Sequence, residues 1–228
     1  RAQTIFDWIR PQDDMTILDF PCGRGFYLGM LRHLSDCRLV GAELDAKVLD
    51  KARRNVGHLP ELVLTRADVR AMPFADAHFD AVILSEILEH VDDDLAALRE
   101  AWRVLKPGGV VVVTVPHADY PFWWDPINRS LETLFGTHIR SGPLAGIWAN
   151  HVRLYEREQL RAVVEAAGFR IEETRAFTHH SLPFLHNLLY GIGMPLLESG
   201  LLPQRMARAA DRTAFAQAED PVLNIYNW

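Results

Sequence analysis

The stretch Asp19-Phe20-Pro21-Cys22-Gly23-Arg24-Gly25, with Gly29 beyond it, follows a short apolar run. Glycines where a strand turns into a helix let backbone approach a ligand, and a helix start there offers free N–H groups. Glu43 closes the next apolar run, where a carboxylate can accept both hydroxyls of a ribose. Asp68 follows the third run and His90 the fourth. His117 comes directly after Pro116 at the end of the fifth, and His151 ends an aromatic-rich segment. Imidazole titrates near neutral pH, so each histidine is a candidate to take a proton from a reacting group. The plainer alternatives are a tight turn without ligand, surface acids at strand ends, and histidines that cap or pack. The dinucleotide fingerprint G-x-G-x-x-G is not met: Gly23, Gly25 and Gly29 are spaced one residue too far.

Strand and helix signals alternate from residue 16 onward. Apolar runs at 16–20, 37–44, 61–68, 79–86 and 110–115 read as strands. Helical patterns fill 25–34, 45–56 and 92–105, and Lys106-Pro107-Gly108-Gly109 breaks the last of these. Nearly continuous apolar strands between amphipathic helices predict a parallel sheet covered on both faces. Such a sheet binds ligands at the carboxyl ends of its strands, where the candidate residues fall. A helix at 155–169 ends on a glycine, 169–177 alternates like a strand, 178–219 reads as helical and apolar, and 221–226 is a last strand.

The 228 residues, 49% of them hydrophobic, suffice for one full core, so the expectation is a single domain over 1–228. The formal charge is -6 with signs interspersed and no basic run, which argues against nucleic acid as a partner. Two cysteines, Cys22 and Cys37, make no disulfide framework, which points to a reducing, cytoplasmic setting. The chain begins at Arg1, which reads as a trimmed start, and shows no secretory signal. The longest span without Asp, Glu, Lys or Arg, 176–197, contains three histidines, an asparagine and two prolines, which argues against a transmembrane segment.

Taken in order, Asp19 to Gly25, Glu43, Asp68, His90 and Lys106 to Gly109 give the chain a resemblance to the class I S-adenosylmethionine-dependent methyltransferases, nearest the group acting on small molecules. The resemblance covers about residues 10–177. The family's first motif is D-x-G-x-G-x-G, and Asp19 to Gly25 matches it except at Pro21, which supplies no N–H. The resemblance implies S-adenosylmethionine as cofactor. Asp19 would then organise the amino group of its methionine part, and Cys22, Gly23 and Gly25 would lie against that part through backbone. Glu43 would hold the ribose, with Leu44 beside the adenine. Asp68 would accept from the adenine amino group, the Val69 N–H would meet a ring nitrogen, and Ser85 would close over the methionine part. It also implies a Rossmann-like α/β fold: a seven-stranded, mostly parallel sheet with helices on both faces. The sixth strand is expected at 169–177 and an antiparallel last strand at 221–226. Helical cap insertions would occupy 116–150 and 178–219.

Methyl transfer to a hydroxyl or an acidic carbon needs a proton removed. His151 is the first candidate for that base, His117 the second, and His90 is expected to order the site wall. Ser85-Glu86-Ile87-Leu88 lacks the D/N-P-P-Y/F of amino-directed nucleic-acid enzymes, neither cysteine is placed for cytosine C5 chemistry, and no His, Cys and carboxylate cluster has metal spacing. Tyr120, Phe122, Trp123, Trp124, Phe135 and Trp148 suggest a lid over a hydrophobic small molecule. On 178–219, Phe184, Leu185, Leu188, Leu189, Ile192 and Leu196 share one helical face. That face is open to four uses: packing on the sheet, extending the pocket, a homodimer contact or a peripheral membrane contact. The reading is a methyltransferase acting on such an acceptor, with oxygen favoured over carbon or nitrogen. Its rivals are a nucleotide-dependent oxidoreductase and a non-catalytic cofactor-binding subunit.

Overall fold

Five apolar strands pair side by side, and every pairing is parallel. They are β1 (Thr16–Asp19), β2 (Arg38–Glu43), β3 (Leu62–Arg66), β4 (Phe79–Ser85) and β5 (Leu105–Thr114), in the order β3-β2-β1-β4-β5. The computed structural model describes residues 1–142 and 144–176. The helices are α1 (Ala2–Ile9), α2 (Phe26–Leu34), α3 (Ala46–Val56), α4 (Asp94–Val104), α5 (Pro126–Phe135) and α6 (Arg157–Ala166). Strand order reverses at β1, so the loops after β1 and β4 diverge and leave a crevice at the carboxyl edge. The expected Rossmann-like parallel sheet with helices is present.

Burial explains the central strands. All four β1 residues are buried, and Ala81 to Leu84 of β4 are wholly inaccessible. β3 lies at an edge, and its Val63 is 61% exposed. Leu18, Val82 and Leu84 share a core with Leu98 of α4, Tyr155 and Val164 of α6. Each such side chain contributes about 1.5–3 kcal/mol when removed from water. Asp45, Asp93 and Asp125 cap α3, α4 and α5 by accepting backbone N–H groups, and Glu156 with Gln159 forms a capping box on α6.

Among the described residues the sheet has five strands, not seven, and none is antiparallel. A strand exists only by pairing, and residues 169–176 join no ladder. Their alternation survives as burial, since Phe169 and Ile171 press on the core while Arg170 and Glu172 face solvent. The expected strand at 221–226 and the helical segment 178–219 lie outside the described residues. β5 begins earlier than expected: Leu105 pairs with Phe79, the register shifts, and Val110 pairs with Ala81. The Lys106 to Gly109 stretch is thus an irregularity within the strand, tied down by Lys106 Nζ donating to both Asp80 oxygens at 2.8 Å.

Arg103 does more than complement the end of α4. Its guanidinium donates to the carbonyls of Met72 (2.9 Å) and Phe74 (2.8 Å) and to Asp76 and Glu100, fastening the β3–β4 connection to α4.

The described residues divide into two compact units: 1–116 with 155–175, which hold the sheet, and 117–154 with 176. In the smaller unit Tyr120, Ile147, Trp148 and Leu154 form a separate core. Glu132 accepts from Tyr120 Oη at 3.0 Å and from Trp148 Nε1 at 2.6 Å. Asp125 and Asn128 are fully buried. Asp125 accepts from the N–H of Asn128 (3.1 Å) and of Ile147 (3.0 Å), and Asn128 Nδ2 donates to the carbonyls of Leu144 and Ala145. Gly146 leaves no space there, because an added Cβ would drive into the Asp125 carboxylate. Gly146→Ala should therefore destabilise the protein by about 1–3 kcal/mol, measured by urea unfolding. An unchanged midpoint would mean that the Asp125 network does not hold this turn.

Candidate active site

The loop after β1 is strapped to both neighbouring strands. The Phe20 N–H donates to the Ile83 carbonyl of β4 and the Cys22 N–H to the Ala42 carbonyl of β2, each at 2.9 Å. Pro21, after a cis peptide bond, stands between them. Its missing N–H therefore leaves the strapping intact, because the residues on either side supply it. The Gly25 N–H closes the turn on the Cys22 carbonyl at 2.8 Å. Gly25 begins α2 with φ +90°, a conformation that glycine adopts without cost, and a Cβ there would strike Val56.

Three acids converge on this edge. Glu43 is nearly buried, and its oxygens accept from the Gly23 N–H (3.2 Å) and the Asp45 N–H (3.0 Å). Asp19 is wholly buried, and among the described residues neither of its oxygens has a hydrogen-bond partner. Burial first, and then the Glu43 charge, push its carboxyl well above the usual range. Burial, and then the nearby Asp19 and Glu43 carboxyls, push the Cys22 thiol up, which fits a backbone role and not a nucleophilic one. Asp68 is clamped by Arg70, whose Nε and Nη2 donate at 3.0 and 2.7 Å, and this pair holds the Asp68 carboxyl below its ordinary value. A cleft of about 210 Å³ opens between Pro21, Glu43, Leu44, Asp68 and Val69 on one side and Ile87, His90 and Asp92 on the other.

A family model described as a methyltransferase domain matches residues 18–113, from β1 to the end of β5. A ubiquinone/menaquinone biosynthesis C-methyltransferase of Cronobacter sakazakii is 31% identical over 168 residues, 67% of this chain and 65% of that protein. A 2-phytyl-1,4-naphtoquinone methyltransferase of Thermosynechococcus vestitus is 35% identical over 109 residues, 47% of this chain and 48% of that protein. The crystal structure of a SAM-dependent methyltransferase from Aquifex aeolicus shares the fold, with a TM-score of 0.56 at 17% identity over 75% of this chain and 81% of that one. The chain belongs to the class I S-adenosylmethionine-dependent methyltransferases. Its cofactor is S-adenosylmethionine. The chain spans from about a third to about two thirds of the length of the curated relatives it matches.

The residues of this methyltransferase fit a cationic cofactor with a ribose. Asp19 is an orphaned buried acid, and a Cβ at Gly23 would meet no atom within 4 Å, so the backbone there lies open to close approach. Each Glu43 oxygen that accepts one backbone N–H keeps a lone pair for a ligand hydroxyl. Leu44 is 52% exposed at the cleft, an apolar surface of the kind a flat ring covers. Ser85 is buried, and its hydroxyl bonds Thr114 Oγ1 at 2.9 Å and Tyr27 Oη at 3.2 Å.

Of the three histidines, His90 lines the cleft with Glu43 and Asp68. His117 and His151 belong to the smaller unit. There His117 Nδ1 accepts from the Asp119 N–H at 3.0 Å, and the His151 N–H donates to the Trp148 carbonyl at 3.1 Å. Sequence reasoning missed Arg70 and Glu89. The signal for Arg70 was a base two residues after Asp68. For Glu89 it was an acid set between apolar Leu88 and His90 in a run that must turn inward.

Asp19 gives the methyltransferase a pH signature. A carboxyl with a raised folded value keeps its proton where the unfolded chain has lost it, so its contribution to stability falls as pH rises above about 4. Asp19→Asn removes this loss. Its stability relative to the native chain should climb by up to about 1.4 kcal/mol per pH unit above pH ~5, measured by urea unfolding without ligand. A difference that stays flat with pH would show that Asp19 is not held protonated.

Proposed function

We propose that this chain is the catalytic domain of a methyltransferase that moves a methyl group to a hydrophobic, ring-bearing small molecule. The observation that carries this reading is the cleft at the strand reversal, where Glu43, Asp68 and the loop after β1 meet. Bound S-adenosylmethionine supplies an electrophilic methyl group on a sulfonium. The chain must bind and orient both partners, exclude water and accept a proton from the acceptor. Asp19 would take the amino group of the cofactor's methionine part, with Cys22, Gly23 and Gly25 against it through backbone. Glu43 would hold the ribose, and Leu44, Asp68 and Val69 the adenine. Ser85 would close the methionine end. Arg70 already occupies Asp68, so adenine would use the carboxylate's remaining lone pairs.

The acceptor class rests on the smaller unit and on the relatives. Tyr120 and Trp148 serve that unit's own core, whereas Phe122, Trp123 and Phe135 are exposed. An apolar acceptor suits such aromatics. Two relatives are named for quinone-type substrates, which favours carbon as the methylated atom as a second reading beside oxygen. His90, His151 and His117 are the proton acceptors on offer. A cytoplasmic setting agrees with the two free, buried cysteines, and among the described residues no helix is long and apolar enough to cross a membrane.

Incubation with methyl-labelled S-adenosylmethionine and solvent-extracted metabolites should move label into the organic phase, and fragmentation of the product distinguishes oxygen from carbon. Label found only in polar, protein or nucleic-acid fractions would sink the acceptor class. No transfer to any fraction, with cofactor still bound, would favour the non-catalytic subunit. Glu43→Ala should weaken S-adenosylmethionine binding at least tenfold by calorimetry, the loss of about 1.4 kcal/mol or more expected when charge-assisted bonds to a ribose go. A folded variant with unchanged affinity would remove the ribose assignment.

A further inference from the structure

Glu89 is a buried acid that no step so far uses. It lies in a 3-10 turn, Leu88–His90, directly beyond the carboxyl end of β4. Its side chain is wholly inaccessible, and among the described residues neither oxygen has a hydrogen-bond partner. Its Oε1 lies 4.0 Å from Nε2 of His90. The His90 side chain is 37% exposed and lines the cleft. A small side-chain adjustment would close this gap to a hydrogen bond.

We propose that Glu89 and His90 form one proton-holding pair in the cleft wall, in which His90 exchanges the proton with the acceptor and Glu89 is the positioning residue behind it. This rests on the reading of the cleft as the site of methyl transfer. In the base form Glu89 is a carboxylate that accepts from Nε2–H of a neutral imidazole, which leaves the lone pair on Nδ1. The acceptor's O–H or C–H bond breaks, its electron pair stays on the acceptor, and the proton goes to Nδ1. The pair then holds one proton more and returns it to solvent after turnover.

The surroundings set where this happens. Burial, and then the charge of Glu86, push the Glu89 carboxyl up to about 8, while Arg1 acts in the opposite direction. Arg1 is itself paired with Glu86 at 3.0 Å. Glu86, Arg1 and His90 are thus the charged or titratable groups of this unit that face Glu89. Two groups this close titrate as a pair. The pair therefore gives up its last proton where Glu89 does, near pH ~8, and the base form dominates above that pH.

The test needs no acceptor. The full chain is labelled at imidazole Cε1 and at the glutamate carboxyl carbon and titrated by NMR from pH ~5.5 to ~9.5, and the His90 signal is assigned by its loss in His90→Gln. In the native chain both the Glu89 carboxyl and the His90 ring should report one shared transition near pH ~8. Glu89→Gln should remove that shared transition from the His90 ring signal, while Glu89→Asp should restore it in part. Where methyl transfer is measured, the rising limb of its pH–rate profile should move down in step, and cofactor affinity should stay unchanged. A native Glu89 carboxyl that titrates below pH ~5, or a His90 curve identical in Glu89→Gln, overturns the pair even if that variant alone fails to fold. A shared transition in a chain that transfers no methyl group would count against the functional reading and leave the pair standing. His151→Ala is the comparison: a pH–rate limb that shifts with it and not with Glu89→Gln places the base at His151 and overturns this assignment.

Discussion

The arrangement depends on Glu43. One carboxylate accepts from Gly23 in the loop after β1 and from Asp45 at the start of α3, so two separate connections are set by a single side chain at the end of β2. Because Glu43 is nearly buried, these bonds are made in a medium of low polarity and hold geometry more firmly than the same bonds in water. They also bring its charge close enough to Asp19 to raise that carboxyl further. Two acids confined together are a standing cost in the free protein. A ligand bearing positive charge and hydroxyl donors relieves that cost, so part of the affinity for such a cofactor is stored in the free protein.

The same logic of placement runs along the sheet edge. Four of the five strands deliver a polar group to this edge at their carboxyl ends: Asp19 from β1, Glu43 from β2, Ser85 from β4 and Thr114 from β5. The interiors of the central strands β1 and β4 are mostly apolar and buried, which leaves their ends as the places where polar side chains avoid burial without partners. Asp19 and Glu89 break that rule, and both lie beside the reversal of strand order. Local rules are commonly broken at functional sites, where the cost of the violation is met by a ligand or a proton.

Much of this was legible beforehand. The strand ends were readable because parallel strands are continuous apolar runs, and the acids that end them stand out against such a background. The loop after β1 was marked by its glycines, because tight backbone turns leave glycines behind. What could not be read was pairing between distant residues. Arg70 on Asp68 and Arg103 on the 72–76 connection are side-chain choices made in three dimensions, with no spacing rule to announce them. The expected sixth strand had the right alternation, but alternation reports which face is buried and not whether a neighbour supplies a ladder. The aromatics of 116–150 were read as one group, whereas the structure sorts them into core and surface, a distinction invisible in composition.

That sorting bears on how such a chain can change its acceptor without losing its cofactor. The smaller unit is held by Asp125, Asn128 and Glu132, whose partners among the described residues lie within 120–148. None of these bonds draws on the strand ends that form the cleft. Substitution at the exposed positions Phe122, Trp123 and Phe135 therefore leaves both the Asp125–Asn128 network and the Glu43 bridge in place. The stability cost of altering exposed residues is small, whereas a change at Glu43 disturbs two loops at once. On the proposed reading, in which the smaller unit meets the acceptor, selection for a new acceptor meets little resistance there, while the Glu43 bridge constrains change in the other unit.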